Sequence, residues 1–178
     1  MRNAFDELLG AAEDRKLPPV EKWQPEHQGE IDIRIARDGT WYHEGSEIKR
    51  QTLVKLFASV LRLDDDGHCL VTPEQKLRIT VDDAPFIAID MEAKGEGRAQ
   101  ALLFTTNVGD VVVADPDHPI HVEQIGGEPR PYVEVRRGLK ALITRSVFYR
   151  LADLATEEGG SFVVWSRGHA FRLGPSST

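Results

Sequence analysis

Residues 41–79 and 132–173 follow one plan, and a chain that repeats a plan of this size is expected to fold as two related units. In the first stretch, Trp41-Tyr42-His43 runs into a turn at Glu44-Gly45-Ser46. Ile48 makes a short apolar step, Arg50 follows, and Leu53, Leu56, Phe57 and Val60 recur at helical spacing. The helix is expected to stop at Asp64-Asp65-Asp66-Gly67. A hairpin follows, with arms His68 to Thr72 and Leu77 to Ile79 around Pro73-Glu74-Gln75-Lys76. In the second stretch, Tyr132 to Val135 runs into Arg136-Arg137-Gly138. Leu139 to Ile143 is the apolar step, Arg145 follows, and Phe148, Leu151 and Leu154 mark a helix that stops at Gly159-Gly160. Its hairpin has arms Ser161 to Trp165 and Phe171 to Leu173. The period of about ninety residues is too long for a solenoid and suits a domain duplication. Strand, turn, strand and helix also arise together by chance. The arginine at each helix start and the hairpin after each helix are what favour duplication.

The rest of the chain fits around these copies. Phe5, Leu8, Leu9 and Ala12 predict a short amphipathic helix, ended by Pro18-Pro19. An extended strap to Pro25 follows, because each proline biases its predecessor away from the helix, and Trp23 is expected to pin it down. Residues 1–27 form this helix and strap, 28–106 a first α+β domain, and 107–178 a second. Ile31, Ile33 and Ile35 alternate with polar neighbours as a half-buried strand, and Asp38-Gly39 makes a tight hairpin turn. Phe86 to Met91 and Ala101 to Thr105 read as two strands that close the first sheet. Val111 to Val113 and Ile120 to Val122 open the second domain.

With 178 residues, 40% hydrophobic and 29% charged, the composition is that of a globular protein. No apolar run approaches the roughly 20 residues of a membrane span. Acids at Asp6 and Glu7 interrupt what a signal peptide would need as an apolar core. A lone cysteine, Cys69, fits a reducing cytoplasm and packing as a small apolar residue. The net charge of −7 opposes binding to long nucleic acid or an anionic membrane. Yet Arg130, Arg136, Arg137, Lys140, Arg145 and Arg150 face only Glu134 between Arg130 and Arg150. That run is either a solvated face or a cradle for a small anion.

Common catalytic and cofactor motifs are missing. There is no G-x-x-x-x-G-K-[ST] phosphate loop, no strand followed by G-x-G-x-x-G, and no G-x-S-x-G elbow. Asp64-Asp65-Asp66-Gly67-His68 starts like a calcium loop, but its glycine comes too early and its twelfth position is Gln75. On a strand, His118 and His121 would point to opposite faces and chelate poorly unless Pro119 makes a turn. No metal, cofactor or catalytic residue is therefore assigned.

The candidates are the polar positions of the two copies. Arg50 and Arg145 sit where each helix begins, where free N–H groups and an arginine fork suit a phosphate; pairing with carboxylates of the adjacent repeat is the alternative. Trp41, Tyr132 and Trp165 offer flat faces for a base, or core. His43 and Asn107 offer hydrogen bonds, or, for Asn107, a local turn. Thr72 offers a hydroxyl at a hairpin tip, or simply starts the turn.

Several blocks carry a resemblance as a set: Pro18-Pro19-Val20-Glu21-Lys22-Trp23, Asp38-Gly39-Thr40-Trp41, Leu53-Val54-Lys55-Leu56-Phe57, Leu70-Val71-Thr72-Pro73, Phe104-Thr105-Thr106-Asn107, His118-Pro119 and Pro131-Tyr132-Val133-Glu134-Val135-Arg136. From about Pro18 to Gly174 the chain resembles the bacterial domain-of-unknown-function family 1285. The resemblance implies two related α+β domains, the second superficially like a pleckstrin-homology fold. It also implies a nucleotide-like ligand at the domain interface and a role in signal transduction.

The expectation is an α+β protein of two tandem related domains, each a small antiparallel sheet packed on one helix. It would act as a cytoplasmic, non-enzymatic binding module for an anionic nucleotide-like small molecule between the domains. Arg50, Arg136 and Arg145 would meet the anion, Trp41 and Trp165 would cover its flat part, and His43, Thr72 and Asn107 would orient it. One rival is a hydrolase or transferase on such a ligand with His43 or His118 as acid–base. The other is a protein-interaction domain without a small ligand.

Overall fold

The alternation of Ile31, Ile33 and Ile35 becomes β1 (His27–Ile35), which turns at Asp38-Gly39 into β2 (Trp41–His43). Gly39 takes a positive φ of 90°, and the Thr40 amide donates to the Asp38 carboxylate at 3.0 Å. The coordinates are a computed structural model that describes residues 17–176. The helix expected over Phe5 to Ala12 lies outside the described residues. The chain divides into two units between Asp83 and Ala84.

The first unit continues with β3 (Ser46–Glu47), α1 (Gln51–Ser59), β4 (Leu61–Asp64), β5 (Gly67–Val71) and β6 (Gln75–Val81). Its six strands lie in the order β3-β2-β1-β6-β5-β4, antiparallel except for the parallel pair β1/β6. On α1 the buried residues are Val54, Phe57 and Ala58, the i, i+3, i+4 stripe of an amphipathic helix. They share the core with Ile33, Ile35, Trp41, Leu61, Leu70 and Leu77.

Two expectations for this unit need correction. The helix ends at Ser59, not at Asp64, and Leu61 to Asp64 form β4 against β5. Val60 and Leu61 extend the apolar helical pattern, so the switch to period 2 leaves little trace over four residues. The strap is not extended throughout, because Val20–Lys22 makes a 3₁₀ turn. Val20 is its buried residue, while the Arg62 guanidinium holds the strap by donating to the carbonyls of Val20 and Trp23 at 2.8 and 2.7 Å.

The second unit contains β7 (Phe86–Lys94), β8 (Ala101–Thr106), β9 (Val111–Val113), β10 (Ile120–Ile125), β11 (Glu128–Arg136) and β12 (Leu139–Ile143). These form a sheet ordered β10-β11-β12-β7-β8-β9, with β12 parallel to β7. α2 (Arg145–Asp153) follows. A three-stranded antiparallel sheet of β13 (Thr156–Glu158), β14 (Ser161–Ser166) and β15 (His169–Pro175) then completes the unit. That sheet is fastened to β8: the Leu102 amide donates to the Ser166 hydroxyl at 3.0 Å, and the Arg167 amide to the Gln100 carbonyl at 2.8 Å.

The fold is therefore α+β and mostly sheet, with a mixed sheet in each unit rather than a purely antiparallel one. The repeated plan is visible as three strands, a helix and three strands in each unit, β1–β3/α1/β4–β6 and β10–β12/α2/β13–β15. β10 lies against β15, the position matching β1 beside β6. The meander β7–β9 has no counterpart in the first unit. The boundary expected at residue 107 accordingly moves to Asp83/Ala84, because Phe86 to Ala88 pair with Ala141 to Ile143 and not with the first sheet. Strand patterning shows which face is apolar but not which strand lies alongside. Among the described residues no helix is long and apolar enough to cross a membrane.

Candidate functional site

The start of α2 is fixed by its neighbours. Thr144 is the N-cap, its hydroxyl accepting the Val147 amide at 3.4 Å. Val147 and Leu151 are fully buried, and the helix packs on β7. Arg150 clamps it there by donating to the Met91 carbonyl at 3.0 Å and pairing with Asp90. Arg145 therefore stands at a defined place, on the exposed side of the first turn. Among the described residues its guanidinium has no ion-pair or hydrogen-bond partner.

Beside it opens a cavity of about 450 Å³, lined by the ends of β10, β11 and β12 and by the first turn of α2. Its wall on the α2 side is Arg145, Phe148 and Tyr149, the i, i+3 and i+4 positions of one helical face. Opposite stand Arg130, Pro129 and Ile125 from the β10–β11 hairpin, with Glu128 as the carboxylate of the lining. That hairpin turns through Gly126-Gly127, both at positive φ (61° and 81°), as a two-residue turn of this hand requires. Tyr149 is 61% exposed and Ile125 47%. The volume falls in the range of roughly 300–1,000 Å³ usual for small-molecule sites.

The other expected residues have different surroundings. Arg50 is the N-cap of α1 and exposed, its carbonyl accepting the Leu53 and Val54 amides. Trp41 is 1% exposed and packs on Phe57 with ring centroids 6.4 Å apart, so protein covers the ring. His43, two residues on and on the same face of β2, is half-buried, with Nε2 3.9 Å from a Glu44 carboxylate oxygen. Thr72 is buried, and its hydroxyl accepts the Glu74 and Gln75 amides at 3.3 and 3.2 Å, which is turn formation. Asn107 accepts the Ile87 amide on its side-chain oxygen at 3.0 Å and donates its own amide to the Ile87 carbonyl, tying the β8–β9 turn to β7. Arg136 pairs with Asp110 of the same turn at 2.7 Å and covers the Phe86 ring. Trp165 donates its ring N–H to Glu158 at 2.6 Å and lines a separate groove.

The structure thus leaves Arg145 in a cavity, groups Asn107 with Arg136 at the β8–β9 turn, and gives Trp41 and Thr72 structural duties. Of the other residues weighed for chemistry, His118 is 3.0 Å from the Asp115 carboxylate through Nδ1, and His121 stacks on Tyr132 at 5.3 Å. Cys69 is buried, and burial pushes its thiol up to about 11, which disfavours the reactive thiolate at neutral pH. Of the cavity's lining, Arg130 stands in the sequence only as the first base of the cationic run, and Tyr149 is not singled out there at all. Their signals were the basic run that begins at Arg130 and the helical face that places Tyr149 one turn from Arg145.

Fold and site together define a tandem α+β protein with one mixed sheet per unit and a cationic cavity in the second. Its two units match the two halves of a single family: residues 18–84 match the "Domain of unknown function (DUF1285), N-terminal domain", and residues 85–173 the "Protein of unknown function (DUF1285), C-terminal domain". The chain belongs to the DUF1285 family. A crystal structure of a DUF1285 family protein from Silicibacter pomeroyi DSS-3 is similar at 50% identity over 95% of each chain, with a TM-score of 0.89. One from Shewanella baltica OS155 is 27% identical over 68% of this chain and 90% of its own, with a TM-score of 0.54. No curated protein matches the chain.

Proposed function

We propose that the protein is a non-enzymatic binding module for a small anionic, nucleotide-like ligand, and that the second unit supplies the anion contact at Arg145. A role in signal transduction would rest on that binding. The observation that carries this reading is a cation without a carboxylate partner among the described residues, beside a cavity of suitable size. Phe148, Tyr149, Pro129 and Pro131 give the cavity flat and apolar walls of the kind that accept a ring. Arg130 adds a second positive charge, and Glu128 sets a limit on how much negative charge the far wall tolerates. A binder is favoured over a hydrolase or transferase because neither His43 nor His118, the acid–base candidates, lines this cavity.

A thermal-shift panel of nucleoside mono- and triphosphates, cyclic nucleotides and inorganic phosphate tests the reading. A ligand at about 100 times its dissociation constant adds roughly 2.7 kcal/mol, a shift of several degrees for a chain of this size. One selective shift that survives moderate salt is expected; a flat panel removes the binding module. Arg145→Ala should then weaken the selected ligand by about tenfold, the worth of one charge-assisted contact, and leave melting of the free protein unchanged. Equal affinity by titration calorimetry would remove Arg145 from the site.

A further inference from the structure

The second unit carries another groove, of about 700 Å³, with the opposite electrical character. One wall is the end of β7 and its turn into β8, from Ala93 to Gln100. The other is the C-terminal end of α2 with β13, from Asp153 to Glu158. Trp165 of β14 contributes its half-buried ring between them. The carboxylates of Glu96, Asp153 and Glu158 line the groove, and the C-terminus of α2 adds the negative end of a helix dipole. Glu158 is held ionised by hydrogen bonds from the Trp165 ring N–H and the Thr156 hydroxyl, with Arg98 adding to them. An indole face among carboxylates is a receptor for an organic cation.

The protein itself shows what that face accepts. The Arg98 guanidinium lies over the Trp165 ring, 4.3 Å from its centroid, while one of its nitrogens reaches Glu158 at 3.2 Å. Arg98 sits in the exposed turn between β7 and β8, with 70% of its side chain in solvent. An ion pair that exposed adds little stability, so a second guanidinium can displace it at small cost. Gln100 does not move with it, because its side chain is fixed on the Trp165 carbonyl at 3.0 Å.

We propose that this groove binds a guanidinium group, seated on Trp165 in the place Arg98 holds and paired with Glu158 and Asp153. Arg98 acts as a built-in competitor that keeps the indole covered when no ligand is present. The ligand is either a free guanidinium compound or an arginine side chain of a peptide, and the two sources share the same seat. The site is independent of the anion cavity, since no residue lines both.

Titration calorimetry of the full chain with agmatine, and in a second arm with a blocked Gly-Arg-Gly tripeptide, tests the proposal. Saturable binding of at least one probe is expected; the preferred probe identifies the source. Arg98→Ala removes the competitor and should tighten that probe by about threefold or more, whereas Glu158→Gln removes the carboxylate and should weaken it by about fivefold or more. Because Glu158 also orients Trp165, Asp153→Asn on the exposed helix end carries the same test with the ring untouched, and weakening is again expected. Absence of saturable binding in both the native chain and Arg98→Ala overturns the proposal. So does an affinity that Arg98→Ala and Asp153→Asn both leave unchanged.

Discussion

Trp41→Ala should destabilise the first unit by about 3–5 kcal/mol, the cost of emptying a core site of this size. Trp41 is 1% exposed, stands opposite Ile35 in the β1/β2 ladder, and stacks on Phe57 of α1 at an interplanar angle of 25°. The substitution removes the ring that stacks on Phe57 of α1, and the space left by an indole is too large to collapse. Trp41→Phe should cost far less, below about 2 kcal/mol. It keeps a ring against Phe57 and deletes the indole N–H, which meets no acceptor among the described residues. A buried donor without an acceptor carries a penalty of about 1–3 kcal/mol, and its removal offsets part of the lost volume. Urea unfolding of the three proteins checks both values. A Trp41→Ala protein as stable as the native chain would show that the ring is not core, and the stacking role considered from sequence would regain its standing. A Trp41→Phe protein as unstable as Trp41→Ala would show that the N–H is satisfied.

The same residue illustrates what the sequence discloses. Period-2 alternation announced β1, Asp38-Gly39 announced its turn, and the apolar stripes of α1 and α2 announced both helices. These are local signals, written within ten residues. β4 and β13 were missed because strands of four and three residues carry one or two alternations, too few to stand out beside a helix end. The partner of β7 was missed because pairing joins Phe86 to Ala141 across the chain, and nothing in an apolar strand names its neighbour. The surroundings of the candidate site residues were hidden for a related reason. Arg136 and Asn107 were chosen for chemistry that their side chains do possess. Asp110 takes up the first, and the Ile87 amide takes up the second. A partner of that kind is set by tertiary structure, which residue type and spacing do not report. Arg145 does open α2, as its place in the sequence suggests, because the start of a helix is itself a local feature.

Acid should unfold the first unit through Asp64, and Asp64→Asn should show it. Asp64 accepts two hydrogen bonds from the Arg62 guanidinium at 2.7 and 2.8 Å and a third from Lys76 at 2.8 Å. Both cations are nearly enclosed, with 11% and 10% of their side chains exposed. The Arg62 bonds, with Lys76 adding to them and partial burial opposing, hold the Asp64 carboxyl down to about 2. An unfolded chain returns it to the ordinary value near 4. The folded value is the lower one, so the contribution is complete above about pH 4 and is lost as pH falls towards 2. Its size is on the order of 2 kcal/mol, and it comes on top of what other carboxylates lose over the same interval. At neutral pH, Asp64→Asn leaves Arg62 without its carboxylate and Lys76 with Asp66 alone, a cost of about 2–4 kcal/mol. Arg62 also anchors the strap through the carbonyls of Val20 and Trp23, so a loosened guanidinium should expose that segment to proteolysis first. Urea unfolding followed from pH 7 to pH 2 separates these effects. The native chain should lose stability more steeply between pH 4 and 2 than Asp64→Asn does. Parallel curves would mean that another carboxylate governs acid unfolding and that Asp64 titrates alike in the folded and unfolded chain.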